Sequence, residues 1–141
     1  MTSRPGDETL SPMWMAHHYP EDYDRCFRVA GHHICRRCLI LYPVAFVTLA
    51  LAEAGLRWPR HLDPWLVVLL PLPGVIEFVA EHRHWISYRP RLQEWLAVPM
   101  GIGLGVGFSR YLHHPGDLLF WGIVAVYAGV CAIAALWRAP A

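Results

Sequence analysis

The chain has 141 residues, 55% of them hydrophobic and only 16% charged, and its 12 basic residues (all arginine) nearly balance 11 acidic ones. That is the length of one domain, too apolar for disorder and well below the roughly 25% charge usual in soluble domains. A net charge of +1 leaves no basic field of the kind nucleic-acid binders use, which excludes nucleic acid as a partner. A mean hydropathy of +0.29 points to a small integral membrane protein, with the lipid bilayer as its first partner.

Residues 1–38 are polar and lack an apolar leader core near the start. Arg36-Arg37, the apolar stretch after them and Ala50-Leu51-Ala52 imitate a twin-arginine signal with its cleavage site. No lipobox precedes Cys38, and the segment is read as a retained membrane helix. Four apolar blocks follow, at about 39–56, 64–80, 92–109 and 118–137, together about half the chain. A membrane span needs roughly 20 mainly apolar residues, and only the fourth block meets that cleanly. The first carries Glu53, the second Glu77, and the third begins beside Glu94. The blocks are too long for strands and do not alternate polar with apolar. A soluble helical core is the competing reading; the short Arg- and His-bearing links between blocks favour the membrane. The expected fold is all-α, an integral membrane four-helix bundle (39–141) behind a Cys/His-rich N-terminal segment (1–38).

With four spans, the N-terminus, the middle loop and the C-terminus share one side. That side carries Arg4, Arg25, Arg28, Arg36, Arg37, Arg83, Arg89, Arg91 and Arg138, against Arg57, Arg60 and Arg110 on the other. The asymmetry places both termini in the cytoplasm of a bacterial inner membrane. Trp58, Trp65, Trp85, Trp95, Tyr111 and Trp137 bracket the blocks as interfacial anchors. Pro71-Leu72-Pro73-Gly74 predicts a break in the second span. Gly101, Gly103, Gly105 and Gly107 form two overlapping G-x-x-x-G frames, the spacing that lets helix backbones touch.

The strongest local pattern is Cys26-x8-Cys35-x2-Cys38, with His32 and His33 between the cysteines. In a reducing cytoplasm a C-x-x-C reads as a metal or redox site before a disulfide. Two thiolates two residues apart can grip tetrahedral zinc, with Cys26 as a third ligand and a histidine as the fourth. His32, His33, His82 and His84 are the candidate fourth ligands, with His17 and His18 farther upstream. A redox dithiol and plain buried cysteines are the alternatives. Glu77 and Glu81 lie on one helical face, with Glu77 deep in the second span. An intramembrane carboxylate is costly and usually meets a cavity or a partner. The functional reading is a proton, metal or substrate group; the bland one is an ion pair with Arg83, Arg89 or Arg91. Topology brings the cysteine segment and the end of the second span to one membrane surface.

The stretch from His17 to Tyr42, with Pro20-Glu21, Arg25-Cys26-Phe27, Gly31 and Cys35-Arg36-Arg37-Cys38-x3-Tyr42, resembles a family of small uncharacterised bacterial membrane proteins. Its hallmark is H-x-x-P-E-R-x-F, then C-x-R-C-T-G-x-Y opening a first transmembrane helix. A later acidic residue, a polar residue four positions on, an Arg-bearing loop and a Gly-rich helix recur in it. Glu77, Glu81, the loop 82–91 and Gly101 to Gly107 stand in those places here. The chain has Leu39-Ile40 where the family has Thr-Gly, and three extra residues follow Pro20-Glu21. The resemblance implies the helical membrane fold and a cysteine-centred site, and no activity.

Three functions fit these features. One is a non-catalytic subunit or assembly factor of a larger membrane complex, held rigid by zinc, with other membrane subunits as partners. Another is a membrane thiol redox protein or metalloenzyme using Cys35 and Cys38, with Glu77 as acid or base. The third is a small proton-coupled transporter using Glu77 and Glu81. No nucleophile–base arrangement stands out, and the first is preferred.

Overall fold

The computed structural model describes residues 11–12, 16 and 20–137; His17, His18, Arg4 and Arg138 lie outside them. A short 3-10 helix, Pro20–Arg25, leads into a two-stranded antiparallel hairpin, β1 (Cys26–Val29) and β2 (His32–Cys35). Helix α1 (Arg36–Glu53) starts directly from β2. A 3-10 turn (Arg60–Leu62), α2 (Asp63–Leu69) and α3 (Leu72–His82) form a broken rod; α4 (Pro90–His113) and α5 (Leu118–Leu136) complete the chain. The structure is mostly helical, in line with the all-α expectation, with the hairpin as an addition.

The hairpin was hidden because its strands are four residues each and share no apolar alternation. Its turn is Ala30-Gly31, both at positive φ (49° and 83°), as the tight two-residue turn matching strand twist requires. The break between α2 and α3 falls at Leu70-Pro71, the leading edge of the Pro71–Gly74 stretch expected to carry it, and Pro73 and Gly74 lie in the first turn of α3. Helix ends follow ordinary rules. Gly55, at φ 91°, closes α1 with bonds from Gly55 N–H to Ala52 O and from Leu56 N–H to Leu51 O. His84 occupies the equivalent left-handed position after α3, at φ 58°, with matching bonds to Glu81 O and Ala80 O. Asp117 caps α5, accepting from Phe120 N–H at 3.2 Å.

Helix α4 is the hub: α1 packs along it and the other helices touch it. Its glycines make this possible. A Cβ on Gly101 would stand 2.6 Å from Leu41 O, and one on Gly105 2.5 Å from Ala45 O, so this frame seats α1. A Cβ on Gly103 would strike the Pro71 ring, and one on Gly107 would press on Phe120. The two G-x-x-x-G frames therefore serve different neighbours, one α1 and the other the α2–α3 break and α5.

Polar contacts collect at the two ends of the bundle. At the end away from the hairpin, buried Asp63 accepts from Trp58 Nε1 (2.6 Å) and Arg110 Nη1 (3.3 Å). Arg110 also grips Asp117 through Nε (2.7 Å) and Nη2 (2.9 Å). Ser109 accepts from Arg57 and donates to Glu53. Between the ends the outer surface is apolar, with Phe46, Val47, Leu69, Ile76, Val126 and Ile133 exposed. Arg60–His82 and Leu118–Leu136 are long and apolar enough to cross a membrane. α1 is charged at both ends, and α4 fills its middle with glycine, which lowers its hydropathy.

Candidate functional site

The site lies where β2 runs into α1. In the hairpin register Cys26 faces Cys35. Counting out from the two-residue turn, this is a non-hydrogen-bonded pair, in which side chains approach most closely. Cys35 ends β2 and also stands at the N-cap of α1. Cys38 lies in the first turn of α1 and hydrogen-bonds to Cys35. Three thiols thus gather at the strand–helix junction. Cys26 is buried, its Sγ donating to Ala16 O at 3.7 Å. Burial, and then the neighbouring Cys35, push its thiol up to about 11. At neutral pH it is a protonated thiol. None of Cys26, Cys35, Cys38 and Cys131 is in a disulfide.

The candidate histidines part company. His33 is buried on the cysteines' face of the hairpin, its ring stacked on Tyr23 at 4.0 Å. Its N–H donates to Ser11 Oγ at 2.7 Å, and its Nδ1 lies 3.4 Å from the same oxygen. His32 is exposed, on the opposite face of the ribbon. His82 stacks on Phe78 at 3.9 Å, and its Nδ1 lies 2.9 Å from Phe78 O. His84 is exposed in its left-handed turn. Among the described residues, no three His, Cys, Asp or Glu side chains stand as a group that could hold a metal ion.

Around the thiols a single arrangement occurs three times. Arg37 Nη2 donates to Glu77 Oε2 at 2.6 Å, and its guanidinium lies over the Phe78 ring at 5.1 Å. Arg25 binds Glu81 through Nη1–Oε1 and lies over Tyr88 at 4.7 Å. Arg36 Nη1 reaches Glu94 Oε1 at 3.1 Å and lies over Phe27 at 4.2 Å. Each guanidinium meets a carboxylate and an aromatic face, which combines charge-assisted hydrogen bonding with cation–π contact. Arginine suits this and lysine does not, because its planar fork can bond and stack together. Glu77 and Glu81 share the buried face of α3 with Gly74.

Glu77 is therefore ion-paired, with Arg37 of the C-x-x-C segment rather than with Arg83, Arg89 or Arg91. Those three lie nearer in sequence, which is what a local reading weighs. The partners that sequence reasoning missed, Arg25, Arg36 and Arg37 with Phe27, Phe78 and Tyr88, left one signal. The polar segment holds a surplus of arginine, and the later apolar blocks hold isolated glutamates. The chain matches no family model, no curated protein and no solved structure.

Proposed function

We propose that this is a four-span bacterial inner-membrane protein with both termini cytoplasmic, acting as a non-catalytic subunit or assembly factor of a larger membrane complex. The observation that carries this reading is the pairing of Glu77, Glu81 and Glu94 with arginines of the N-terminal segment. A general base or a proton carrier needs a carboxylate able to change charge, and these are held by guanidinium groups. The pairs fasten the two flanks of the hairpin, Arg25 before it and Arg36 and Arg37 after it, to α3 and α4, a structural task. The exposed apolar belt between two polar ends supports four spans, since a soluble monomer rarely shows so large an apolar surface. In this reading α1 and α4 cross the membrane beside the two more apolar rods, and their glycine contacts bury the polar backbone between them.

The proposed zinc site is Cys26, Cys35 and Cys38, with His33 the fourth ligand favoured by its place on the same ribbon face. Holding an ion requires the thiols to turn toward a common point and to lose their protons, so binding would be coupled to ordering of the hairpin. The contact between Cys35 and Cys38 favours a second reading, a thiol redox pair. Gentle detergent purification from native membranes, followed by elemental and subunit analysis, tests both. Stoichiometric partner subunits and about one zinc per chain are expected. A solitary, metal-free chain whose Cys35 and Cys38 cycle between thiol and disulfide would replace this reading with the redox one.

A further inference from the structure

A cavity of about 280 Å³ lies between α5 and the wall made by α1 to α4. Leu41, Val67, Pro71, Val75, Met100 and Leu104 line it on that side, with Gly103 and Gly107 on the α4 floor. Along α5 its lining runs from Phe120 to Cys131, which at 1.5 Å per residue is roughly 16 Å. Apart from the Cys131 thiol, its only polar side-chain group is the Tyr127 hydroxyl, already donating to Val68 O. Apolar cavities of about 150 Å³ stay dry and take up benzene. On that scale this one has room for roughly a dozen carbons. Long, narrow and apolar, it fits one linear hydrocarbon chain.

The Cys131 end of the cavity points toward the pole that carries the hairpin. There α5 ends at Trp137, whose ring lies beneath the Arg83 guanidinium (5.9 Å) and whose carbonyl accepts from Arg83 Nη1 (3.4 Å). Arg83, Arg89 and Arg91 have no carboxylate partner among the described residues, unlike Arg25, Arg36 and Arg37. Arginines without a carboxylate partner at a membrane surface attract anionic headgroups.

We propose that this cavity holds one acyl chain of an anionic phospholipid whose phosphate is bound by Arg83 beside Trp137. The proposal rests on the membrane reading above. α5 buries little of its own surface besides Phe120 and Ala134. A lipid chain between it and α4 would fill the cavity beside those contacts.

The test uses the full-length chain. Its resistance to alkaline carbonate extraction is measured first, and release into the supernatant would overturn the membrane reading and this proposal with it. Carbonate-resistant protein is then purified in mild detergent and weighed by native mass spectrometry. Thermal unfolding is followed with added phosphatidylglycerol or phosphatidylcholine. About one retained phospholipid per chain is expected, with phosphatidylglycerol raising the unfolding temperature more than phosphatidylcholine. Ala128→Phe, which fills the cavity from α5, should cut retained lipid severalfold while membrane insertion persists. Arg83→Gln should weaken phosphatidylglycerol binding about fivefold and erase the headgroup preference. A carbonate-resistant wild type with no retained lipid, or Ala128→Phe retaining as much as wild type, would overturn the proposal. A retained molecule without phosphate would overturn the assignment to Arg83.

Discussion

Arg37 and Glu77, 40 residues apart in the chain, meet through a 2.6 Å hydrogen bond with both side chains almost wholly buried. Removing one partner of such a pair strands the other charge without water. Arg37→Gln and Glu77→Gln should each cost about 3 kcal/mol of stability. Arg37→Met with Glu77→Met should recover most of that loss, because no buried charge remains. A double-mutant cycle on thermal unfolding in detergent checks this, and additive losses would show that the two residues are not coupled.

In the metal-free chain, prepared with a chelator, Cys26 holds its proton more tightly folded than unfolded, because burial disfavours the thiolate. The thiol therefore adds stability that is fully present below about pH 9 and is lost as pH rises through about 11. Between pH 8 and 11 the unfolding temperature of wild type should fall more steeply than that of Cys26→Ala. Labelling of Cys26 by iodoacetamide should be negligible at pH 7.

Glycines on α4 and α5 should respond in opposite directions to the same change. Gly105→Ala places a methyl 2.5 Å from Ala45 O, which must force α1 away from α4. A loss of about 1–3 kcal/mol is expected. Nothing lies within 4 Å of a Cβ built on Gly122 or Gly129. Alanine at either should raise stability by about 0.5–1 kcal/mol through helix propensity. Unfolding temperatures of the three variants decide it.

At His84 the prediction is a gain. A non-glycine residue in a left-handed helix-ending position is strained, and His84→Gly should add about 1 kcal/mol. A lower unfolding temperature in that variant would show that the imidazole makes a contact worth more than the strain.

Asp117 is held below the usual carboxylate range, first by hydrogen bonds from Arg110 and also by the backbone N–H it caps. Its lowered pKa contributes stability that is present above about pH 4 and is lost as pH falls through the lower folded value. Asp117→Asn keeps a cap but should flatten acid denaturation below pH 4. Asp117→Ala should lose about a further 1 kcal/mol. Acid titrations of the three proteins separate the cap from the charge.

The helices were legible because apolar runs of this length have few other outcomes. The break at Pro71 was legible because proline removes a donor and clashes one turn back. The gathering of Cys26, Cys35 and Cys38 was half visible. Cys35 and Cys38 are neighbours in any helical start, but Cys26 reaches them only through a hairpin whose turn lacks the usual Asn-Gly. The Arg37–Glu77 pairing was invisible for a different reason. It is set by how α1 and α3 pack, and charge alone offers Glu77 many arginines. The glycine frames were seen, but which helix each would seat depends on rotation about α4, which spacing does not specify.

The order in which the three arginine–glutamate pairs are synthesised gives them a second use. Arg25, Arg36 and Arg37 precede their partners by 56, 58 and 40 residues. At ribosomal speeds that is a delay of roughly 2 to 12 s. In the proposed four-span arrangement the first helix emerges in that interval with Arg36 and Arg37 unpaired at its leading end, the state in which arginine retains a helix end in the cytoplasm. In that arrangement the glutamates arrive after the helix is oriented and pair with the charge that oriented it. A translation product that stops before Glu94 keeps Arg36 uncovered, and one that stops before Glu77 keeps all three. Incomplete chains thus lack the carboxylates that hold these arginines in the finished one.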